Sequence, residues 1–122
     1  MRLDIKPLSV NQAWKGRRFK TEKYKSYERE IIKTLPDNLK VPEGKLFLFL
    51  HWGFSSAASD FDNPIKCFAD CLQKKYNFND KLIKSSFIEV SNVKKGQDFI
   101  EWDLIEFDKR AEFIVSYLNK SG

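Results

Sequence analysis

The hydrophobic pattern of the chain changes period several times, and each change marks an element. Tyr24, Tyr27, Ile31 and Leu35 recur at helical spacing after Thr21, a residue suited to capping, and Pro36 ends the run. This predicts a first helix whose other face, with Lys23, Arg29, Lys33, Glu22 and Glu30, is solvated. From Lys45 to Phe54 the chain reads Leu46, Leu48, Leu50, Trp52 and Phe54 on one side and Phe47 and Phe49 on the other. Apolar residues on both sides predict a strand covered on both faces. A second helix is expected over about 64–76, with Asn63 as its cap and Pro64 in its first turn. Its buried stripe is Ile65, Phe68, Ala69 and Leu72, while Lys66, Asp70 and Gln73 share another face.

Residues 1–5 read as a short strand and 6–20 as an irregular, basic loop. Two strand-like runs, Leu82–Ser91 and Phe99–Phe107, flank Lys94-Lys95-Gly96-Gln97 and are expected to pair as a hairpin, before a closing helix over Lys109–Leu118. The resulting order is β-α-β-α-β-β-α, an α+β fold with a mixed β-sheet flanked by helices. There is no repeat, low-complexity tract or linker, so 1–122 is read as a single domain.

Composition narrows the picture. A chain of 122 residues with 42% apolar content supports one core, and eleven Phe, four Tyr and three Trp fill it without structural metal. Cys67 and Cys71 are too few for a disulfide framework and, with His51 as the single histidine, too few for a tetrahedral zinc site. His51, set within a strand, reads as a core residue with satisfied ring nitrogens. No apolar run is long enough to span a bilayer and the N-terminus lacks signal-peptide character, so a cytoplasmic protein without membrane contact is expected. Charge is uneven: residues 1–35 carry ten Lys/Arg against four Asp/Glu, and the rest twelve against thirteen. A positive N-terminal third suits a polyanion, most simply nucleic acid, though it also serves plain solubility.

The densest chemistry lies in Ser59-Asp60-Phe61-Asp62-Asn63-Pro64-Ile65-Lys66 and in Phe78-Asn79-Asp80. If the segment is extended, Asp60 and Asp62 point the same way and present two carboxylates to one hard cation such as Mg²⁺. Asp80 joins them if the second helix brings it back. A cation cluster of that kind generates a nucleophile from water and stabilises charge on a phosphodiester, and Lys66 adds positive charge nearby. Simpler readings exist: the aspartates cap the helix, and Lys66 pairs with Asp70 at i, i+4. An EF-hand is excluded, because a loop counted from Asp60 lacks its central glycine and ends on Cys71. No phosphate-binding glycine loop is present.

The run Asp60-Phe61-Asp62-Asn63-Pro64-x-Lys66-x-x-x-Asp70 with Phe78-Asn79-Asp80 resembles the signature of the RusA family of Holliday-junction resolvases. Pro7-Leu8-Ser9-Val10-Asn11, the basic stretch through Arg17-Arg18 and the final strands around Lys95-Gly96 follow that family's order, so the resemblance covers nearly the whole chain. It implies a RusA-like fold and a Mg²⁺-dependent (or Mn²⁺-dependent) homodimeric endonuclease that makes paired nicks in four-way DNA junctions during recombination and repair. Such proteins are commonly encoded by bacteria and prophages. By position, Asp60, Asp62 and Asp80 match the metal-binding aspartates, Lys66 the essential lysine and Asp70 a recurring acid. Where family members often carry tandem acids, this chain has Asn79-Asp80. Lys15, Arg17, Arg18 and Lys20 are the expected phosphate contacts, and Trp14 either packs or stacks on a base. Phe113, Val115 and Tyr117 are candidates for a dimer surface by pattern. A non-catalytic DNA-binding module and a metal-stabilised protein-interaction domain are the alternatives.

Overall fold

The computed structural model describes residues 1–16, 19–57 and 59–121. Its elements are β1 (Arg2–Leu3), β2 (Trp14–Lys15), β3 (Phe19–Lys20), α1 (Glu22–Thr34), β4 (Leu46–Phe54), α2 (Ile65–Tyr76), β5 (Ile83–Asn92), β6 (Phe99–Glu106) and α3 (Arg110–Ser121). Four strands form a mixed sheet in the order β1-β6-β4-β5, and β2 pairs with β3 in a separate antiparallel ribbon. The fold is therefore α+β, with a mixed sheet and three helices. The ribbon departs from the expected loop over 6–20, because segments of two residues are too short to show a period.

The expected hairpin between the last two strands does not form. β4 lies between them, parallel to β5 from Leu46↔Ile83 to Phe54↔Asn92 and antiparallel to β6 from Leu46↔Glu106 to Gly53↔Phe99. Burial explains the insertion. Every residue of β4 except His51 is buried, so it gains most from neighbours on both edges, whereas β5 exposes Lys84, Ser86 and Val90 and serves as an edge. The parallel β4–β5 pair requires a crossover, and α2 supplies it.

The two faces of the sheet are covered differently. On one, Trp52 and Trp102 pack against Phe68 of α2, with ring centroids 5.9 and 6.0 Å away. The buried residues of α2 are Cys67, Phe68, Cys71 and Leu72, while Ile65 and Ala69 are half-buried. The stripe is thus rotated toward the cysteines because α1 packs beside α2 as well as the sheet beneath it. Burial raises the thiol pKa values to about 11 for Cys67 and about 12 for Cys71, which keeps both protonated. On the other face α3 covers Phe49 with Phe113 and Tyr117, at 5.1 and 4.7 Å. Phe113 and Tyr117 are therefore committed to the core side of α3; of the residues considered for a dimer surface only Val115 is exposed, at 58%.

Gly53 and Phe99 are register partners, and a Cβ at Gly53 would lie 2.2 Å from the Phe99 ring. The missing side chain makes room for that ring. Thr21 caps α1 as expected, its side chain accepting from the Tyr24 amide at 3.1 Å. Between α1, α2 and the ribbon, buried Glu28 accepts from Lys20 at 2.8 Å and Lys74 at 2.7 Å. Burial alone would raise the Glu28 pKa, but these two hydrogen bonds and their charges outweigh it and hold the carboxyl below its usual range. Among the described residues no helix is long and apolar enough to cross a membrane.

Candidate active site

The acidic motif occupies the passage from β4 to α2. It is a turn, not the extended segment expected: the Asn63 amide donates to the Asp60 carbonyl at 3.3 Å, and the Ile65 amide to the Asp62 carbonyl at 3.2 Å. Alternation along a strand therefore does not set the two side chains. Nor is Asn63 the helix cap. Pro64 already has helical angles, φ −82 and ψ −9, so the turn runs straight into α2 without an extended capping residue, and no side chain caps the helix. Capping thus does not account for Asp60 and Asp62.

Two further contacts anchor this turn to the core. The indole of Trp52, fully buried in β4, donates to the Phe61 carbonyl at 2.8 Å, and the Val10 amide donates to the Asn63 carbonyl at 3.0 Å. Asp60, Phe61 and Asp62 are nonetheless exposed. Among the described residues the carboxylates of Asp60 and Asp62 take part in no hydrogen bond or ion pair. Asp60 also borders a cleft of about 370 Å³, with Lys6, Asn11, Gln12, Ser59 and Asp98 around it. The Asp98 carboxylate accepts from the Ser55 amide at 3.1 Å, tying the loop before β6 to the start of the passage. Asp98 and Lys6 are absent from the sequence-level candidates because both come from segments distant in the chain; only the sheet order brings them to Asp60.

The second polar group lies along α2. Lys66 donates to Asp70 at 3.0 Å, Gln73 donates to the same carboxylate oxygen at 3.4 Å, and Tyr24 reaches its other oxygen at 3.4 Å. The Gln73 side-chain carbonyl in turn accepts from the Asp80 amide at 3.2 Å. The Asp70 hydrogen bond and charge, with a smaller contribution from Asp80, hold the Lys66 pKa above its ordinary value, so the ammonium stays charged. The i, i+4 pair foreseen between Lys66 and Asp70 is present. The Asp80 backbone is thus tied to Gln73, two turns along α2, and its charge is felt at Lys66 in the first turn.

Among the described residues no group of three or more His, Cys, Asp or Glu side chains is placed to hold a metal ion. The donor chemistry of Asp60 and Asp62 still suits a hard cation, because Mg²⁺ is commonly held by one or two carboxylates with water and substrate oxygens completing its shell.

Of the basic candidates, Lys15 is exposed on β2. Lys20 is not free, since it pairs with Glu28 and lies 4.9 Å over the Tyr24 ring. Arg17 and Arg18 lie outside the described residues. Trp14 packs edge-on against Tyr24 at 5.5 Å. His51 has partners on both ring nitrogens, Glu101 and Tyr117 at Nδ1 (3.1 and 3.2 Å) and Ser91 at Nε2 (2.7 Å). No protein-family model matches the chain, and no curated protein matches it.

Proposed function

We propose that the chain is a metal-dependent endodeoxyribonuclease, and more particularly a RusA-like Holliday-junction resolvase that introduces paired nicks into four-way DNA junctions. The observation that carries this reading is the anchored turn whose two exposed carboxylates, Asp60 and Asp62, have no partner among the described residues. Charged side chains that serve the fold find partners; two held in place without them are available to a cation or substrate. The basic N-terminal third and the resemblance of the Asp60–Asp80 motif point to the same substrate.

Asp60 and Asp62 would hold Mg²⁺, or Mn²⁺ in its place. When bound, the cation supplies an activated water and stabilises charge on the phosphodiester oxygens. The residues of the chain then have distinct tasks. Asp60 and Asp62 supply the negative charge that would keep the cation next to α2. Lys66, kept protonated by Asp70, offers positive charge to the phosphate, and Gln73 links Asp70 to the Asp80 backbone so that the α2 face is held as a unit. Lys15, Arg17 and Arg18 would contact flanking phosphates; Lys20, paired with Glu28, braces the ribbon that carries Lys15. A homodimer places two such sites on a two-fold junction.

The test is to incubate the protein with a labelled synthetic four-way junction, and with linear duplex of the same sequence, in Mg²⁺ and in chelator. Symmetric nicks in the junction alone, abolished by chelator, are expected. Junction binding without nicks across metals and sequences would favour the non-catalytic DNA-binding module.

A further inference from the structure

Two phenylalanines are largely exposed, Phe19 at 70% and Phe61 at 57%, and of the two Phe61 has its own carbonyl held by a buried core side chain, the Trp52 indole. Leaving a phenyl ring in water forfeits the gain from burying it, and a turn between two aspartates has no steric need for one. The backbone contacts fix where the ring emerges. The Phe61 carbonyl is held by the buried Trp52 indole, and the carbonyls of Asp60 and Asp62 on either side are occupied by the Asn63 and Ile65 amides. The ring is thus a presented side chain at a set position, between the two carboxylates assigned to the reaction.

We infer that Phe61 is a stacking platform for an unpaired nucleobase of the DNA substrate, next to the phosphate to be cut. This rests on the nuclease reading and adds a substrate requirement to it. An aromatic face accepts any base, but only one whose own face is uncovered, as at a branch point or in a single strand. A base seated on Phe61 also carries its own sugar and phosphate to the carboxylates, which couples recognition of the branch to the position of the scissile bond.

The experiment uses four-way junctions and single strands carrying 2-aminopurine at the branch or mid-strand, with uninterrupted duplex as control, in chelator so that binding is read without cleavage. Phe61→Ala should bind branched and single-stranded DNA about 5- to 100-fold more weakly and lose the 2-aminopurine fluorescence change, with duplex binding and melting temperature unaltered. Phe61→Trp should restore both. Equal binding by wild type and Phe61→Ala, with metal-dependent nicking intact, would overturn the stacking role and leave the nuclease reading standing. A changed sedimentation coefficient in Phe61→Ala, with unchanged DNA binding, would show the ring to be covered by a second copy of the chain instead. Absence of DNA binding by wild type at low salt would overturn both readings.

Discussion

Glu28 and the Asp60–Asp62 pair are carboxylates in a lysine-rich chain, yet they are treated in opposite ways. Glu28 is 9% exposed and receives two ammonium groups, from Lys20 on the ribbon and Lys74 on α2, so that three elements meet on one side chain. Asp60 and Asp62 sit on a turn anchored through its backbone, and their side chains reach into solvent without a partner among the described residues. Anchoring is spent on the side chain in the first case and on the main chain in the second. The difference separates a charge that holds the fold from charges held ready by it.

Substitution should expose this contrast, most strongly at the turn. Asp62→Asn is expected to lower the rate of junction nicking by about 100-fold or more, while the melting temperature moves by no more than about 3 °C, since an exposed unpaired side chain contributes little to stability. Nicking assays and thermal melts on one preparation check both halves. Glu28→Gln should behave in the reverse sense: it leaves two lysines without their shared partner and costs about 2 kcal/mol, read as a fall of roughly 10 °C in melting temperature.

The Glu28 clamp also predicts a pH dependence. Its folded pKa lies below the ordinary value, so its contribution is fully present above the unfolded pKa of about 4.3 and is lost as pH falls through the folded pKa. Urea unfolding of wild type should weaken over that acid range, and Glu28→Gln should flatten this limb. Lys74→Met, which removes an ammonium on a side chain 60% exposed, should cost only about 0.5 kcal/mol by the same measurement. A Lys74 effect as large as that of Glu28 would mean that the clamp is not shared between two lysines.

The sequence foretells the elements better than their pairing. The double-sided apolar run of β4 and the helical spacing of Tyr24, Tyr27 and Ile31 carry enough residues to state their period. The placement of β4 between β5 and β6 depends on a competition among strands that no local pattern encodes. Lys94–Gln97 reads as a hairpin turn, yet it joins strands on opposite sides of β4. At the site, the exposure of Asp60 and Asp62 and the Lys66–Asp70 pair follow from motif and spacing. The anchoring by Trp52 and Val10, the nearness of Asp98 and the tie of the Asp80 backbone to Gln73 do not, because each requires the path of α2 and the sheet order. Lys20, a basic residue in a basic stretch, shows the limit most plainly: composition gives its charge, and only the fold gives its partner.

The most direct test of the account is a set of three readings on Asp60→Asn: nicking of a four-way junction in Mg²⁺, junction binding in chelator, and thermal melting. The account predicts that nicking is lost while binding and melting temperature stay near the wild-type values. Nicking at the wild-type rate, or a large loss of stability in place of activity, would contradict the claim that this carboxylate is held ready for chemistry.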